Sequence, residues 1–115
     1  MSSIRSFLQG FNIITNGSMA GNLTSTVTDI RNKDQVCIVI TSANTSAVGQ
    51  WYVDASIDQI TWIPMTFSPS ITATASGAND AIMLDMKLLS FTYIRVRWVG
   101  SGAGTANVLI SAKGN

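Results

Sequence analysis

The stretch FTYIRVRWVGSGAGTANVLISAK, Phe91 to Lys113, decides the fold. Ile94, Val96 and Trp98 fall on one side of an extended chain, and Tyr93, Arg95 and Arg97 on the other. A period of two with one apolar side is the mark of a strand with one buried face. Beyond GSGAG the pattern resumes, with Ala106, Val108 and Ile110 sharing a side. The closely spaced glycines suit a chain reversal, so the two runs are expected to form a C-terminal hairpin. Arg95 and Arg97 would then face solvent or a partner.

Working back along the chain, the alternation recurs with turn signals about every ten residues, the spacing of a sandwich or barrel. It predicts strands over Asn12–Thr15, Leu23–Ile30, Gln35–Thr41, Gln50–Ser56, Thr61–Thr66, Ile71–Ala75, Ala81–Met86, Phe91–Val99 and Thr105–Lys113. QVCIVIT is apolar on both faces, as a central strand covered on each side would be. The expected fold is all-β: an antiparallel β-sandwich, jelly-roll or Ig-like, of about eight short strands with a short N-terminal arm. The arm spans residues 1–11 and a single sandwich domain spans 12–115. Ile4, Phe7, Leu8 and Phe11 stand outside the alternation, with Ile4, Phe7 and Leu8 at helical spacing. So short a helix is unstable alone, so these four side chains either cap the domain's own core or dock on a partner.

Composition narrows the function. At 115 residues the chain is one domain, long enough to bury a core without disulfides or metal. Its one cysteine, Cys37, reads as a small buried hydrophobe, with an intermolecular bridge or reactive thiol as the other reading. Charged residues make up 11% of the chain and the net charge is +1, which argues against electrostatic binding of nucleic acid. The 46% apolar content argues against disorder, and the apolar runs are too short to cross a membrane. The N-terminal MSSIRSFLQGFNIITNG lacks the sustained apolar run of an export signal. Low charge instead suits a part of an assembly.

Catalytic equipment is sparse. The chain has no histidine, so neither a Ser-His-Asp nor a Cys-His arrangement can be built from it. Its acids are six aspartates, Asp29, Asp34, Asp54, Asp58, Asp80 and Asp85, and most lie in or beside turns, where Asp serves local hydrogen bonding. No loop carries a recognisable metal-ligand pattern, and GSGAG lies between strands and not before a helix. No cofactor is expected.

One stretch does have the makings of a ligand face. In VGQWYVDASIDQITWIPM, Val48 to Met65, Trp51, Val53 and Ala55 share one side and Tyr52, Asp54 and Ser56 the other. Trp51 belongs to the core. Trp62, beyond the turn, is expected to pack in the core or between the sheets, the other reading being an exposed platform near a sheet edge. In that second reading Tyr52, Asp54, Asp58 and Trp62 would offer a glycan aromatic faces and hydrogen-bond acceptors.

The same stretch carries a resemblance. Ser56, Asp58 and Trp62, followed by Tyr93, Ile94 and Arg95 with Gly102 and Gly104, resemble a recurrent pattern in small β-sandwich structural proteins of tailed-bacteriophage virions. The resemblance runs over about residues 36–113, and Gln59 stands where that pattern usually has glycine. It implies a non-enzymatic virion protein of the capsid decoration, head-fibre or tail-module type, located on the capsid surface or in a tail or fibre. Decoration of the capsid is the leading expectation: a homo-oligomer, with a trimer favoured, docked on the major capsid protein or another virion protein. A carbohydrate- or receptor-binding module of a fibre is the alternative.

Overall fold

The structure, a computed structural model, describes residues 6–31, 33, 35–44, 46–65, 72–73, 79–87 and 91–114. Among them the regular elements are all strands: β1 (Ser6–Ser18), β2 (Leu23–Thr24), β3 (Thr28–Asp29), β4 (Gln35–Asn44), β5 (Val48–Ser56), β6 (Ile63–Pro64), β7 (Thr72–Ala73), β8 (Asn79–Lys87), β9 (Tyr93–Ser101) and β10 (Gly104–Gly114). One sheet has four strands in the order β1-β10-β4-β8. The other has six, built on β2-β9-β5-β6, with β3 also on β9 and β7 also on β5. Every pairing is antiparallel.

The pairing has a simple logic. The first half of the chain meets the second half in reverse: β1 with β10, β2 and β3 with β9, β4 with β8, and β5 with β6 and β7. The chain is thus one long antiparallel ribbon with its tip between β5 and β6, rolled up so that β10 lies on β4 and β9 on β5. β2 and β3 share one lane of this ribbon and β6 and β7 another, so the short strands fill the positions of a jelly roll. Of the two sandwich topologies that the sequence left open, the jelly roll is the one formed.

The core lies between the sheets. The four-stranded sheet contributes Ile38, Ile40, Val108 and Ile110, and the six-stranded sheet Trp51, Val53, Val96 and Trp98, all 2% exposed or less. Trp51 and Trp98 lie directly opposite in register, with ring centroids 5.1 Å apart and planes tilted by 49°. The buried Trp98 Nε1 donates to the Met19 carbonyl at 3.1 Å, so the largest core side chain leaves no orphan donor. Its ring also dictates a glycine. A Cβ on Gly100 would sit 2.5 Å from Trp98 Cζ2 and 2.5 Å from the Val48 carbonyl oxygen.

Three expectations are corrected. The GSGAG segment does not close a hairpin: β9 and β10 belong to different sheets, and the connection crosses the end of the sandwich. Gly102 is its pivot, at φ +115° and tight against the Ser46 carbonyl. The single strand foreseen over Leu23–Ile30 is two short pieces, because between them Ser25 takes over the ladder: its Oγ accepts from Val96 N at 2.8 Å. The arm is, from Ser6 onward, the first part of β1, with Phe7 opposite Lys113, Leu8 opposite Ala112 and Phe11 opposite Ile110. β1 therefore runs straight through the expected arm-to-domain boundary. Ile4 lies outside the described residues.

Candidate functional site

The outer face of the six-stranded sheet carries the densest polar arrangement. In the β5–β9 ladder Tyr52 lies opposite Arg97 and Asp54 opposite Arg95, and side chains directly opposite project to the same side. Asp54 is only 1% exposed because the arginines close over it. Arg95 Nε donates to Asp54 Oδ2 at 2.9 Å, Arg97 Nε to the same oxygen at 2.5 Å, and Arg97 Nη2 to Oδ1 at 3.1 Å. Each guanidinium also covers a ring: Arg95 stands 4.2 Å from the Trp62 centroid and Arg97 4.8 Å from that of Tyr52. The result is a continuous row, Tyr52, Arg97, Asp54, Arg95, Trp62, of alternating charge capped by aromatics, in which each cation–π contact is worth about 0.5–2 kcal/mol. The hydrogen bonds that Arg97 donates to the Asp54 carboxylate raise the Arg97 pKa above its ordinary value, so this cation stays charged.

This row corrects the expected place of Trp62. It is half-buried on the outer face and not in the core, because the register of Asp54 with Pro64 and Ala55 with Ile63 brings the start of β6 up beside Arg95. Trp51 is in the core, as expected. Tyr52, Asp54 and Trp62 are thus brought together, while Asp58 has a different task. Its Oδ1 accepts from Ile60 N and Thr61 N, both at 2.9 Å, and from Ser56 Oγ at 3.1 Å. Ser56 Oγ in turn accepts from Gln59 N at 2.9 Å. The backbone bonds from Thr61 and Ile60 lower the pKa of Asp58. The tip is therefore a side-chain-braced turn, and Gln59 holds the left-handed conformation, φ +62°, that glycine would adopt more readily. Around it Ile57, Ile60 and Ile63 are 74%, 83% and 62% exposed.

Two arginines were missed as partners of Asp54. The signal was available: alternation puts Asp54 on the outward side of its strand and Arg95 and Arg97 on the outward side of theirs. What the sequence did not reveal is that the two strands are neighbours. Of the expected docking residues, Phe7, Leu8 and Phe11 have their backbone committed to β1, and Phe11 is 40% exposed. No detached arm is formed over 6–11. Among the described residues no group of three His, Cys, Asp or Glu side chains converges to hold a metal ion.

The outer face of the four-stranded sheet is different in character. Leu109, Val39 and Met83 lie directly opposite one another on β10, β4 and β8, forming an apolar row. Leu109 is 37% and Met83 68% exposed. Two residues along on the same face are Ser111, Cys37 and Asp85. They help line a shallow groove of about 310 Å³ that Lys113 and Gln35 close at one end. Burial first, and the Asp85 charge second, push the Cys37 thiol pKa up. Cys37 and Val39 are half-buried, so the outward side of β4 is less covered than QVCIVIT suggested.

What fold and faces define together is a jelly-roll sandwich with an arginine–aromatic row on one side and, on the other, an apolar row beside a groove of mixed polar and apolar lining. No protein-family profile matches the chain, and no curated protein sequence does. Solved structures do match in fold. A chain in the structure of infectious bursal disease virus, Gx strain, superposes with a TM-score of 0.64 at 12% identity, covering 97% of this chain and 32% of that one. The SPBc2 prophage-derived protein YomS superposes with a TM-score of 0.58 at 7% identity, covering 97% of both chains. The PBSX exported protein XepA gives 0.55 at 15% identity over 96% of this chain and 37% of its own. The chain thus spans about a third of the viral chain and of XepA, and nearly all of YomS. At these identities the likeness is one of fold.

Proposed function

We propose that this protein is a non-enzymatic structural component of a phage particle, of the capsid decoration or auxiliary type, which self-associates and docks on the major capsid protein or another virion protein. The observation that carries the reading is the end-to-end match with prophage-derived YomS, in which one jelly roll accounts for nearly the whole of both chains. The site chemistry agrees. The chain has no histidine, Asp54 is enclosed by two arginines, and Asp58 is occupied in its own turn. Docking of this kind works by area: apolar surface contributes about 25 cal/mol per Å² removed from water, and many copies on one lattice multiply modest contacts. The exposed isoleucines of the ribbon tip provide such surface.

The test is co-sedimentation of the purified protein with capsid shells stripped of accessory proteins, from the phage that encodes it. Saturable binding at a fixed ratio to the major capsid protein is expected; absence of binding overturns decoration. The competing role, a glycan- or receptor-binding module of a fibre, is favoured by one observation: Trp62 lies on the outer face, at the opposite end of the arginine row from Tyr52, and not in the core. Its ligand would meet arginine donors in place of the carboxylate acceptors, which are engaged. In that role Trp62→Ala keeps the fold and loses attachment to host cells.

A further inference from the structure

We propose that Arg95 is the receptor for the carboxylate of an acidic saccharide, bound end-on by the guanidinium edge left open on the outer face of the six-stranded sheet. The inference deepens the glycan-binding reading above and rests on it; docking on a shell plays no part in it.

Charge pairing singles out Arg95. The described part of this face carries Arg31, Arg95 and Arg97 against Asp29 and Asp54. Asp29, opposite Tyr93 in register, pairs with Arg31 at 3.5 Å and also accepts from the Arg31 backbone N–H at 2.8 Å. Arg97 takes both oxygens of Asp54, through Nε and Nη2, and that fork is a complete ion pair by itself. Arg95 adds one bond, from Nε, to an oxygen that Arg97 Nε already holds. It is the cation in excess: among the described residues no further carboxylate lies within ion-pair distance of it. One anion arriving from outside restores neutrality.

The donors agree with the charge. Arg95 spends its Nε, while its Nη1 and Nη2 groups have no hydrogen-bond partner among the described residues. Those groups, side by side on one edge of a planar fork, match the two oxygens of a carboxylate. The side chain is also ordered in advance: the buried Asp54 anchors its Nε, and its guanidinium centre lies 4.2 Å from that of the Trp62 ring. Less rotamer freedom is therefore lost on binding than at an unsupported surface arginine. A side-chain exposure of 25% leaves the ligand a way in.

The surroundings favour a sugar over a protein. Thr24 and Tyr52 flank Arg97 in register, and Pro64 lies beside Asp54. The exposed large apolar side chains of this face, Val48 and Val99, stand farther along the strands, beyond Tyr52 and Arg97. A saccharide bound through its carboxylate thus finds hydroxyls and rings for the rest of its surface. A protein partner held by apolar area finds that area at the ribbon tip instead.

The experiment titrates the full chain with a galacturonate oligomer and, as its uncharged twin, the methyl ester of the same oligomer, by calorimetry and by NMR of the arginine Nε–H signals. The acid is expected to bind, to weaken as salt is raised and to move the Arg95 signal, with the ester bound at least about tenfold more weakly. Arg95→Gln lowers affinity for the acid by about ten- to a hundredfold and leaves the ester unaffected. Its melting temperature stays close to the native value, because Arg97 still engages both Asp54 oxygens. Arg95→Lys, which keeps the charge without the fork, recovers only part of the affinity. An ester bound as tightly as the acid, an Arg95→Gln variant that binds the acid as the native protein does, or no binding of the acid at all overturns the proposal. Equal, Arg95-dependent binding of a polyglutamate peptide overturns the saccharide as the ligand class. Attachment to host cells separates the two readings: native protein that fails to attach overturns the glycan-binding role, and attachment unchanged in Arg95→Gln overturns the assignment of Arg95 alone.

Discussion

Replacing Asp54 by alanine leaves two guanidinium groups facing one another across an empty site, and the structure allows the cost to be worked out. Three charge-assisted hydrogen bonds are lost, each worth about 1.5–3 kcal/mol where the partners are desolvated. The carboxylate is 1% exposed, but the arginines retain 25% and 28% exposure and their stacking on Trp62 and Tyr52. Water therefore recovers part of the loss, and the net cost falls to about 3 kcal/mol, at the lower end of the range for breaking a buried pair. For a domain of this size that is a fall of about 12 °C in melting temperature. Urea denaturation followed by tryptophan fluorescence measures it without the ionic screening that guanidinium would add. A matched variant, Asp54→Leu with Arg95→Met and Arg97→Met, should recover most of the stability, since an apolar replacement of a buried ionic cluster is near neutral. A loss below about 1 kcal/mol in the single variant would refute the reasoning, placing the row among surface ion pairs of little worth.

Other substitutions test other parts of the account. Gly100→Ala drives a Cβ into the Trp98 ring and the Val48 carbonyl, a backbone clash with no flexible neighbour to yield. A loss of about 3 kcal/mol or more, or failure to fold, is expected in thermal unfolding. Thr28 is 5% exposed and its hydroxyl finds no partner among the described residues; Thr28→Val should stabilise by about 1 kcal/mol in the same assay. Gln59→Gly relieves a left-handed side chain at the ribbon tip but loosens the unfolded chain, for a net gain of about 0.5 kcal/mol by urea unfolding. Asp58, whose pKa is lowered by the Thr61 and Ile60 amides, contributes stability that is present above the unfolded carboxylate value of about 3.9 and is lost as pH falls through its depressed folded value. Carboxyl NMR titration should show that depression, and Asp58→Asn should remove this part of the acid limb of the stability profile.

Strand faces were legible in the sequence wherever the ladder is regular. Ile94, Val96 and Trp98 turn inward and Tyr93, Arg95 and Arg97 outward, as a period of two requires. In β1 the reading failed for a physical reason. Its register slips between Leu8 and Phe11, between Asn12 and Ile14, and between Ile14 and Gly17. Ile13 and Ile14 are consequently both buried although adjacent, the alternation is erased, and a strand looks like an irregular arm. The hairpin foreseen at GSGAG failed for another reason: glycines announce that a chain turns, not whether it returns to the same sheet. The Arg95–Asp54–Arg97 cluster needed strand neighbours far apart in sequence, which periodicity does not encode. By contrast, the place of Asp58 in a turn was visible because its bonds span two or three residues.

The ribbon has a corollary at its open end. Ser6 pairs with Gly114 on adjoining strands, so the fold is entered and left at the same point. Such a module can be set into a loop of a host chain, or repeated in tandem through short linkers, without disturbing the tip at the far end of the ribbon. New ends cut at the tip, with Ser6 and Gly114 bridged, would give a circular permutant that keeps every ladder of both sheets. Attachment is thereby separated from contact: whatever is joined at the paired ends leaves the ribbon tip and both outer faces clear.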